Sequence, residues 1–184
     1  NRFENFSWDT SEDGLIGWKS STNGGNGWKI FNEEINTYGS TNPLSGNYLA
    51  VSKYSYENQQ TCYGLTCLDL HKKYTNIKSN AKISFDYIVH GGSGTFKGSY
   101  QIIYKDRTFK KQFLSTNTSY PVPNSLEIVL KDAISELSGG EVEFTGGDLT
   151  FSFDVNLPYE SGSGYSSLNS ARNFFAFDNF CMTT

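Results

Sequence analysis

The chain is poor in charged residues and has no long hydrophobic segment. Only 18% of its 184 residues are charged, against about 25% in ordinary soluble domains, and the formal net charge is −4. No apolar run approaches the length of a membrane-spanning helix. Lysine and arginine form no cluster that would attract nucleic acid or an anionic membrane. We therefore expect no membrane insertion and no nucleic-acid partner.

Groups for catalysis are also scarce. The chain has two histidines and contains no G-x-S-x-G, H-E-x-x-H or P-loop motif. The best alternative is a glycosidase-like set, in which Glu141 and Glu143 share one face of a predicted strand and Asp154 joins them from the next strand. Glutamates alternating with Val142 and Phe144 are, however, typical of a solvated outer face. We expect a protein that is not an enzyme, with glycoside-active chemistry as the weakest alternative.

The three cysteines leave the redox compartment open, because an odd number cannot all pair within the chain. A short Cys62–Cys67 disulfide is geometrically reasonable, and either residue paired with Cys181 is the alternative. A C-x4-C spacing without a second pair does not indicate zinc.

Two N-glycosylation sequons agree with export. They begin at Asn5 and Asn117, and the chain starts at Asn1 without methionine, as expected of a mature or excised fragment. We expect an extracellular or cell-surface location.

Aromatic residues are abundant, and their spacing is that of β-strands. Phe, Tyr and Trp make up 16% of the chain, enough to form a core. Apolar residues alternate with polar ones in short segments separated by polar turns. The predicted strands cover residues 28–35, 46–52, 82–90, 100–104, 107–113, 125–130, 141–144, 149–155 and 173–180. One helix is predicted at 132–137, ended by Gly139 and Gly140. The pattern predicts an all-β protein, an antiparallel β-sandwich of jelly-roll type, with residues 1–184 as a single domain.

Six short motifs carry a resemblance to a known family along nearly the whole chain. They are Phe3-Glu4, Gly17-Trp18, Gly27-Trp28, GNYLAV at 46–51, AKISFDY at 81–87 and AFDNFC at 176–181. Their order and spacing resemble the MAM-like and galactose-binding-like extracellular jelly rolls. The pattern is also similar to the cleaved-adhesin modules of bacterial surface proteins.

The resemblance implies a structural calcium ion. In such jelly rolls it is held by an early acidic residue and an aspartate of the last strand, positions that Glu4 and Asp178 occupy here. Calcium takes six to eight oxygen ligands, which two carboxylates and nearby carbonyls can largely supply. Alternation sets the Asp178 side chain opposite to those of Phe177 and Asn179. The alternative is that Asp178 only accepts backbone N–H groups.

Several aromatic residues lie in polar, loop-like surroundings, where sugars commonly stack on ring faces. We take Trp8, Tyr54, Tyr56 and Tyr63 as candidate ligand-binding residues, although a tyrosine-rich loop without a specific site would look the same. In contrast, Trp18 and Trp28 follow glycines at strand starts and are expected in the core.

These observations predict a non-catalytic extracellular recognition or adhesion module that binds a cell-surface or matrix glycan or protein through loop aromatics. The alternative is a structural subunit of an extracellular polymer or filament, self-associating through edge strands or termini.

Overall fold

The computed structural model describes residues 2–3, 17–19, 28–31, 48–52, 68–90, 94–117, 124–158 and 173–183. These residues form ten strands and one helix, in the order β1 Arg2–Phe3, β2 Lys29–Phe31, β3 Tyr48–Ser52, β4 Leu68–Ile77, β5 Lys82–His90, β6 Phe96–Tyr104, β7 Arg107–Thr116, β8 Asn124–Val129, α1 Leu130–Leu137, β9 Gly147–Asn156 and β10 Phe174–Thr183.

The strands form two antiparallel sheets. The six-stranded sheet has the order β2-β3-β10-β5-β8, with β1 pairing beside β3 on the same edge of β10, and the four-stranded sheet has the order β4-β9-β6-β7. Successive described strands mostly switch between the sheets, and β6 and β7 form the only direct hairpin of the four-stranded sheet. This arrangement is a β-sandwich of jelly-roll type, which confirms the fold class predicted from the strand pattern.

Aromatic side chains fill the space between the two sheets. Phe153 of β9 is fully buried, and its ring centroid lies 4.8 Å from that of Phe85 and 4.3 Å from that of Phe177, both in the opposite sheet. Trp18 and Trp28 are only 1% and 2% exposed, which confirms that they belong to the core. Rings from both sheets therefore hold the sandwich together.

The hairpin between β6 and β7 is the one predicted from the sequence. Lys105 and Asp106 join the strands with φ values of 49° and 60°, the left-handed conformation required by a two-residue turn that matches the strand twist. The register runs without interruption from Tyr104↔Arg107 to Ser99↔Gln112. The turn thereby sets which β7 side chains stand beside which β6 side chains.

Helix α1 also agrees with the sequence. It buries Leu130, Ala133 and Ile134, and Gly139 and Gly140 follow it with φ values of 66° and 84°. Glycine is favoured in this conformation because it lacks a Cβ atom. With eight residues, the helix is too short to cross a membrane, and no described helix meets that requirement.

Two strand predictions differ from the structure. Residues 141–144 are irregular rather than a strand. They are hydrogen-bonded to the end of the helix instead of to a neighbouring strand: the backbone N–H of Val142 donates to Ser138 Oγ at 3.0 Å. The sequence pattern does not predict strand β4, since Lys72 stands where the alternation requires an apolar residue. Lys72 occupies an inward position of this strand. The inward residues on either side of it, Leu70 and Tyr74, are nevertheless fully buried.

The outer face of the six-stranded sheet is more apolar than simple alternation predicts. Beside the main core, a second buried cluster lies on this face, formed by Phe31, Tyr48, Ala50, Ile88, Phe174 and Ala176. Each of these residues is paired with an outward-facing residue of the neighbouring strand, as in Phe31↔Tyr48 and Ala176↔Ile88. This sheet is therefore buried on both faces over part of its area.

We expect Phe153→Ala to destabilise the fold by about 3–5 kcal/mol, because it removes a ring that joins the two sheets and leaves a cavity. Chemical denaturation followed by tryptophan fluorescence measures the loss. Thr108→Ala, an exposed position of β7, is the control and should change stability by less than about 0.5 kcal/mol. Equal losses in the two variants would contradict the central position of this ring.

Candidate functional site

The outer face of the four-stranded sheet carries a continuous set of polar side chains. Because side chains alternate along a strand, the residues between the core-facing ones project away from the sandwich. Cross-strand partners share a face, and the pairings Asp69↔Asp154, Ser99↔Asp154, His71↔Ser152, Gln101↔Ser152 and Gln101↔Lys110 connect them. We call this set the polar face; it consists of Asp69, His71, Ser99, Gln101, Lys110, Ser152 and Asp154.

Asp154 is the most unusual member of the polar face. Its side chain is only 9% exposed, and its Oδ2 accepts a hydrogen bond from Lys110 Nζ at 3.0 Å. Its other oxygen, Oδ1, is buried and has no hydrogen-bond partner among the described residues. A buried carboxylate oxygen without a donor is costly, so such atoms are rare unless a ligand or water satisfies them.

A second carboxylate stands directly opposite Asp154. Asp69 pairs with it across β4 and β9, and its Oδ2 lies 3.4 Å from Nδ1 of His71. His71 is itself one-third exposed. The polar face therefore offers two carboxylates beside an imidazole, an amide from Gln101 and an ammonium group from Lys110, a mixture of hydrogen-bond donors and acceptors.

A cleft of about 420 Å³ opens at the end of the polar face, one step further along the strands. Ile103 pairs with Thr150, which in turn pairs with Lys73, and all three line it. Ile103 is 39% exposed, the only exposed large hydrophobic side chain among the described residues. The cleft thus adds an apolar contact to the polar groups.

Two turns shape the far wall of this cleft. The hydroxyl of Tyr104 donates to the carbonyl of Gly146 at 3.0 Å, which holds the 145–147 turn against the hairpin. At Gly146, which has a φ of 94°, a Cβ atom would lie 2.7 Å from the carbonyl oxygen of Ile77. Glycine is therefore required for the close approach of these two chain segments.

The glycosidase-like arrangement considered from the sequence is wrong. Glu141 and Glu143 do not share a strand: the first pairs with Arg107 at 3.3 Å and the second with Lys131 at 4.0 Å. Asp154 instead pairs with Lys110, and residues 107 and 110 alternate to opposite faces of β7. The structure therefore does not bring Asp154 together with the two glutamates.

Asp178 lies on the outer face of the six-stranded sheet, opposite Asp86 of β5, and is 6% exposed. Its side chain faces away from Phe177, as alternation predicts. Burial raises the pKa of the Asp178 carboxyl above its ordinary value; a hydrogen bond from the backbone N–H of Asn179 opposes this, and the negative charge of Asp86 adds to it.

A bulge follows Asp178. Asn179 adopts a φ of 52°, and its Nδ2 donates to Asp86 Oδ2 at 2.9 Å. Ser125 Oγ donates to the other oxygen of Asp86. Phe3 of β1 pairs with Cys181 just beyond the bulge, so β1 ends close to Asp178. Among the described side chains, no group of three or more His, Cys, Asp or Glu residues is arranged to hold a metal ion.

Most of the other predicted site residues lie outside the described residues. They are Glu4, Asn5, Trp8, Tyr54, Tyr56, Cys62, Tyr63 and Cys67. Cys181, the only cysteine within the described part, carries a free, half-buried thiol. Asn117 is exposed at the end of β7, and its Oδ1 accepts a hydrogen bond from Thr95 Oγ1 at 2.6 Å.

Sequence reasoning missed the polar face as a site. The available signal was Asp154, a charged residue between the apolar Phe153 and Val155. Its proximity to Asp69 and Lys110 depends on the order of β4, β9, β6 and β7 in the sheet, which the sequence pattern does not specify.

No protein-family model matches the chain, and a search of curated proteins found no match. Among solved structures, the chain is similar to TmCBM61 in complex with β-1,4-galactotriose, with a TM-score of 0.48 and 11% identity over 98% of each chain. It is also similar to the family 11 carbohydrate-binding module from Clostridium thermocellum in complex with a β-1,3-1,4-mixed-linked tetrasaccharide (TM-score 0.43, 16% identity, 94% of this chain and 91% of that chain).

A third similar structure is TmCBM27, a carbohydrate-binding module described with specific mannan recognition. It aligns with a TM-score of 0.42 and 9% identity, over 98% of this chain and 94% of that chain. TM-scores below 0.5 leave fold and function to be argued from this chain's own strand pairings and side chains.

We expect Lys110→Met to destabilise the protein by about 1–3 kcal/mol, because it leaves the buried Asp154 carboxylate without its cation. The double variant with Asp154→Asn should recover part of the lost stability, because the buried negative charge is then absent. Urea denaturation of the two single variants and the double variant measures this coupling.

Lys111→Met is the matched control for the stability measurement. Lys111 is the next residue of the same strand, but its partner is the exposed Glu136, so a surface ion pair of little consequence is lost. A loss in Lys111→Met as large as that in Lys110→Met would contradict a special role of the Asp154 pair.

Proposed function

We propose that this protein is a non-catalytic glycan-binding module and that the polar face is its binding surface. The observation that supports this most directly is the row of carboxylate, imidazole, amide and ammonium groups that the strand pairings set side by side on one sheet face. Sugar hydroxyls can both donate and accept hydrogen bonds, and sites that take small polar ligands place a few such groups at fixed positions.

The composition of the surface favours a sugar over a wholly apolar ligand. Asp69 and Asp154, which are cross-strand partners, supply hydrogen-bond acceptors. Gln101 and Lys110, a second cross-strand pair on the same sheet face, supply donors. Ile103 adds an exposed apolar contact at the cleft, suited to the C–H groups of a sugar ring. Rigid strands set these positions, so little ordering is needed when a ligand binds.

We propose that the loop aromatics complete the site by stacking on sugar rings. Trp8, Tyr54, Tyr56 and Tyr63 remain the candidates. Together with the two sequons, of which Asn117 is exposed at a strand end, this favours a secreted or surface-attached module that recognises a cell-surface or matrix glycan. A protein partner on the same surface is the alternative ligand.

We also propose a structural calcium ion held by Glu4 and Asp178. The Asp178 carboxyl is buried opposite a second carboxylate, Asp86, a pairing of like charges that a cation would offset. Strand β1 ends at Phe3, beside the bulge that follows Asp178. This position favours Glu4, the next residue in the sequence, as a second ligand of the ion. The calcium would be structural and would stabilise the folded state alone.

We expect the unaltered chain to bind at least one of four oligosaccharide probes in isothermal titration calorimetry: galactotriose, mannohexaose, xylohexaose and a mixed-linked glucan tetrasaccharide. Gln101→Ala should weaken that binding about fivefold, because it removes one neutral hydrogen bond. Lys131→Ala, an exposed residue of α1, is the control and should bind as the unaltered chain does.

Three results would contradict the proposed function. The first is no binding to any carbohydrate in the panel or in a wider glycan array. The second is an equal loss in the two variants. The third is the appearance of shorter sugars in chromatograms of the incubated probes, which would reveal hydrolysis.

Removal of calcium should lower the melting temperature, because an ion bound only to the folded state stabilises it by mass action. Differential scanning calorimetry with calcium and with excess chelator measures the shift. Asp178→Asn should abolish this dependence on calcium, whereas Asp148→Asn, an exposed aspartate of β9, should retain it. A melting curve that chelator leaves unchanged would remove the metal from the proposal.

A further inference from the structure

We infer that the polar face binds an acidic glycan, whose carboxylates pair with Lys19 and Lys97, two exposed lysines that border this face. The inference rests on the proposed function and adds the charge of the ligand and the two residues that recognise it. It starts from an imbalance of charge on the outer face of the four-stranded sheet. The carboxylates there have nearby cationic or imidazole partners, whereas these two lysines have no acidic partner among the described residues.

Cross-strand pairing places both lysines on the outer face. Lys19 forms a bridge with His71, in which the backbone N–H of each residue donates to the carbonyl of the other at 2.8 Å. Lys97 precedes Ser99 by two residues on β6 and pairs with Asn156 of β9. Paired residues share a face of the sheet, and both lysines are exposed. Their ammonium groups can therefore contact a ligand that lies on the polar face.

The carboxylates of the same face are already paired. Asp154 bonds to Lys110 at 3.0 Å, and Asp148 lies 3.7 Å from Lys73. Asp69 lies beside the imidazole two residues further along its strand. With the two bordering lysines, the described part of this face carries four ammonium groups against three carboxylates, although the whole chain has a net charge of −4. A cationic surplus on one face of an acidic protein favours an anionic ligand there.

The separation of the two lysines sets the kind of anion. From Lys19 the pairings run across the sheet through His71 and Ser152 to Gln101, which is four residues from Lys97 on β6. Strands lie about 4.8 Å apart and rise about 3.4 Å per residue, so the two Cα atoms are roughly 20 Å apart. One carboxylate cannot contact both ammonium groups. An oligosaccharide with carboxylates on separate sugar residues can.

The surface between the two lysines favours a sugar over a nucleic acid. Asp69 and Asp154 pair across β4 and β9 and lie on the line between the lysines, and the Asp69 side chain is 17% exposed. A nucleic-acid strand carries a phosphate at every nucleotide, so it would place negative charge above these carboxylates as well. A glycan can present neutral hydroxyls there and carboxylates further out.

Isothermal titration calorimetry of the unaltered chain tests the preference for charge. The probes are a galacturonic-acid oligomer and a xylo-oligosaccharide with glucuronic-acid branches. Each is compared with its carboxyl-reduced form, in which hydroxymethyl groups replace the carboxylates. We expect at least one acidic probe to bind about tenfold more tightly than its reduced form, from about threefold for each exposed ion pair. Sodium chloride at about 500 mM should remove most of this preference, because salt screens exposed charges.

Variants then assign the preference to the two lysines. Lys19→Met and Lys97→Met should each weaken binding of the acidic probe about threefold and leave binding of the reduced form unchanged. Lys19→Arg keeps the charge and should keep the preference. The matched control is Lys78→Met, which removes an equal charge from an exposed lysine between β4 and β5, outside the polar face, and should bind as the unaltered chain does. Thermal unfolding establishes that the variants fold, and the salt dependence of the unaltered chain tests the inference without them.

The outcomes separate the inference from the proposed function. Reduced probes that bind as tightly as the acidic ones overturn the inference and leave the proposed function standing. A preference that salt does not weaken, that both Lys19→Met and Lys97→Met retain, or that Lys78→Met loses equally has the same meaning. Binding of polyglutamate or of a single-stranded oligonucleotide as tightly as the acidic probe also overturns the inference, because the surface would then select charge alone. No binding of any carbohydrate, neutral or acidic, overturns both.

Discussion

The contact of aromatic rings across the two sheets is the interaction on which the rest of the structure depends. Phe153 in the four-stranded sheet packs against Phe85 and Phe177 in the six-stranded sheet, and Trp18 closes over it. Aromatic pairs contribute beyond the apolar area that they bury, because their edges and faces attract. A chain in which only 18% of the residues are charged relies on this core for its stability.

The same rings impose the geometry of the polar face. Leu149, Phe151, Phe153 and Val155 all face the core, and the period of two along a strand then places Thr150, Ser152 and Asp154 outward. A shift of β9 by one residue would bury its polar set in the core, so the register is strongly fixed. Asp154 is held where it is by the residues on either side of it, which have no part in binding.

The sequence predicted the fold well where one face of a strand is uniformly apolar. The alternation in 82–90 and 149–155, the Lys105–Asp106 turn and the Gly139-Gly140 helix end each carry a local physical signal, and all appear in the structure. Strand β4 was missed because Lys72, a charged residue, occupies an inward position where the pattern requires an apolar one. Its ammonium group lies over the Tyr74 ring, an interaction between residues that periodicity cannot detect.

The candidate site was less predictable for a different reason. The polar face combines residues from β4, β6, β7 and β9, and their adjacency follows from strand order, which local patterns do not encode. The sequence could mark Asp154 as a charge in an apolar strand, but it could not show that Lys110 reaches it or that Asp69 stands opposite. Glu141 and Glu143 were paired on a strand that the end of the helix prevents from forming.

Strand β7 forms one border of the four-stranded sheet, and among the described strands it pairs only with β6. This border carries Arg107, Lys110 and Lys111, and most of its side chains are exposed. If two copies met border to border, these long flexible side chains would have to be ordered, and their ion pairs with Glu141, Asp154 and Glu136 would be disturbed. Among the described strands, this border is therefore poorly suited to being extended by a second chain, and the adjoining polar face would not be covered in that way at high local protein concentration.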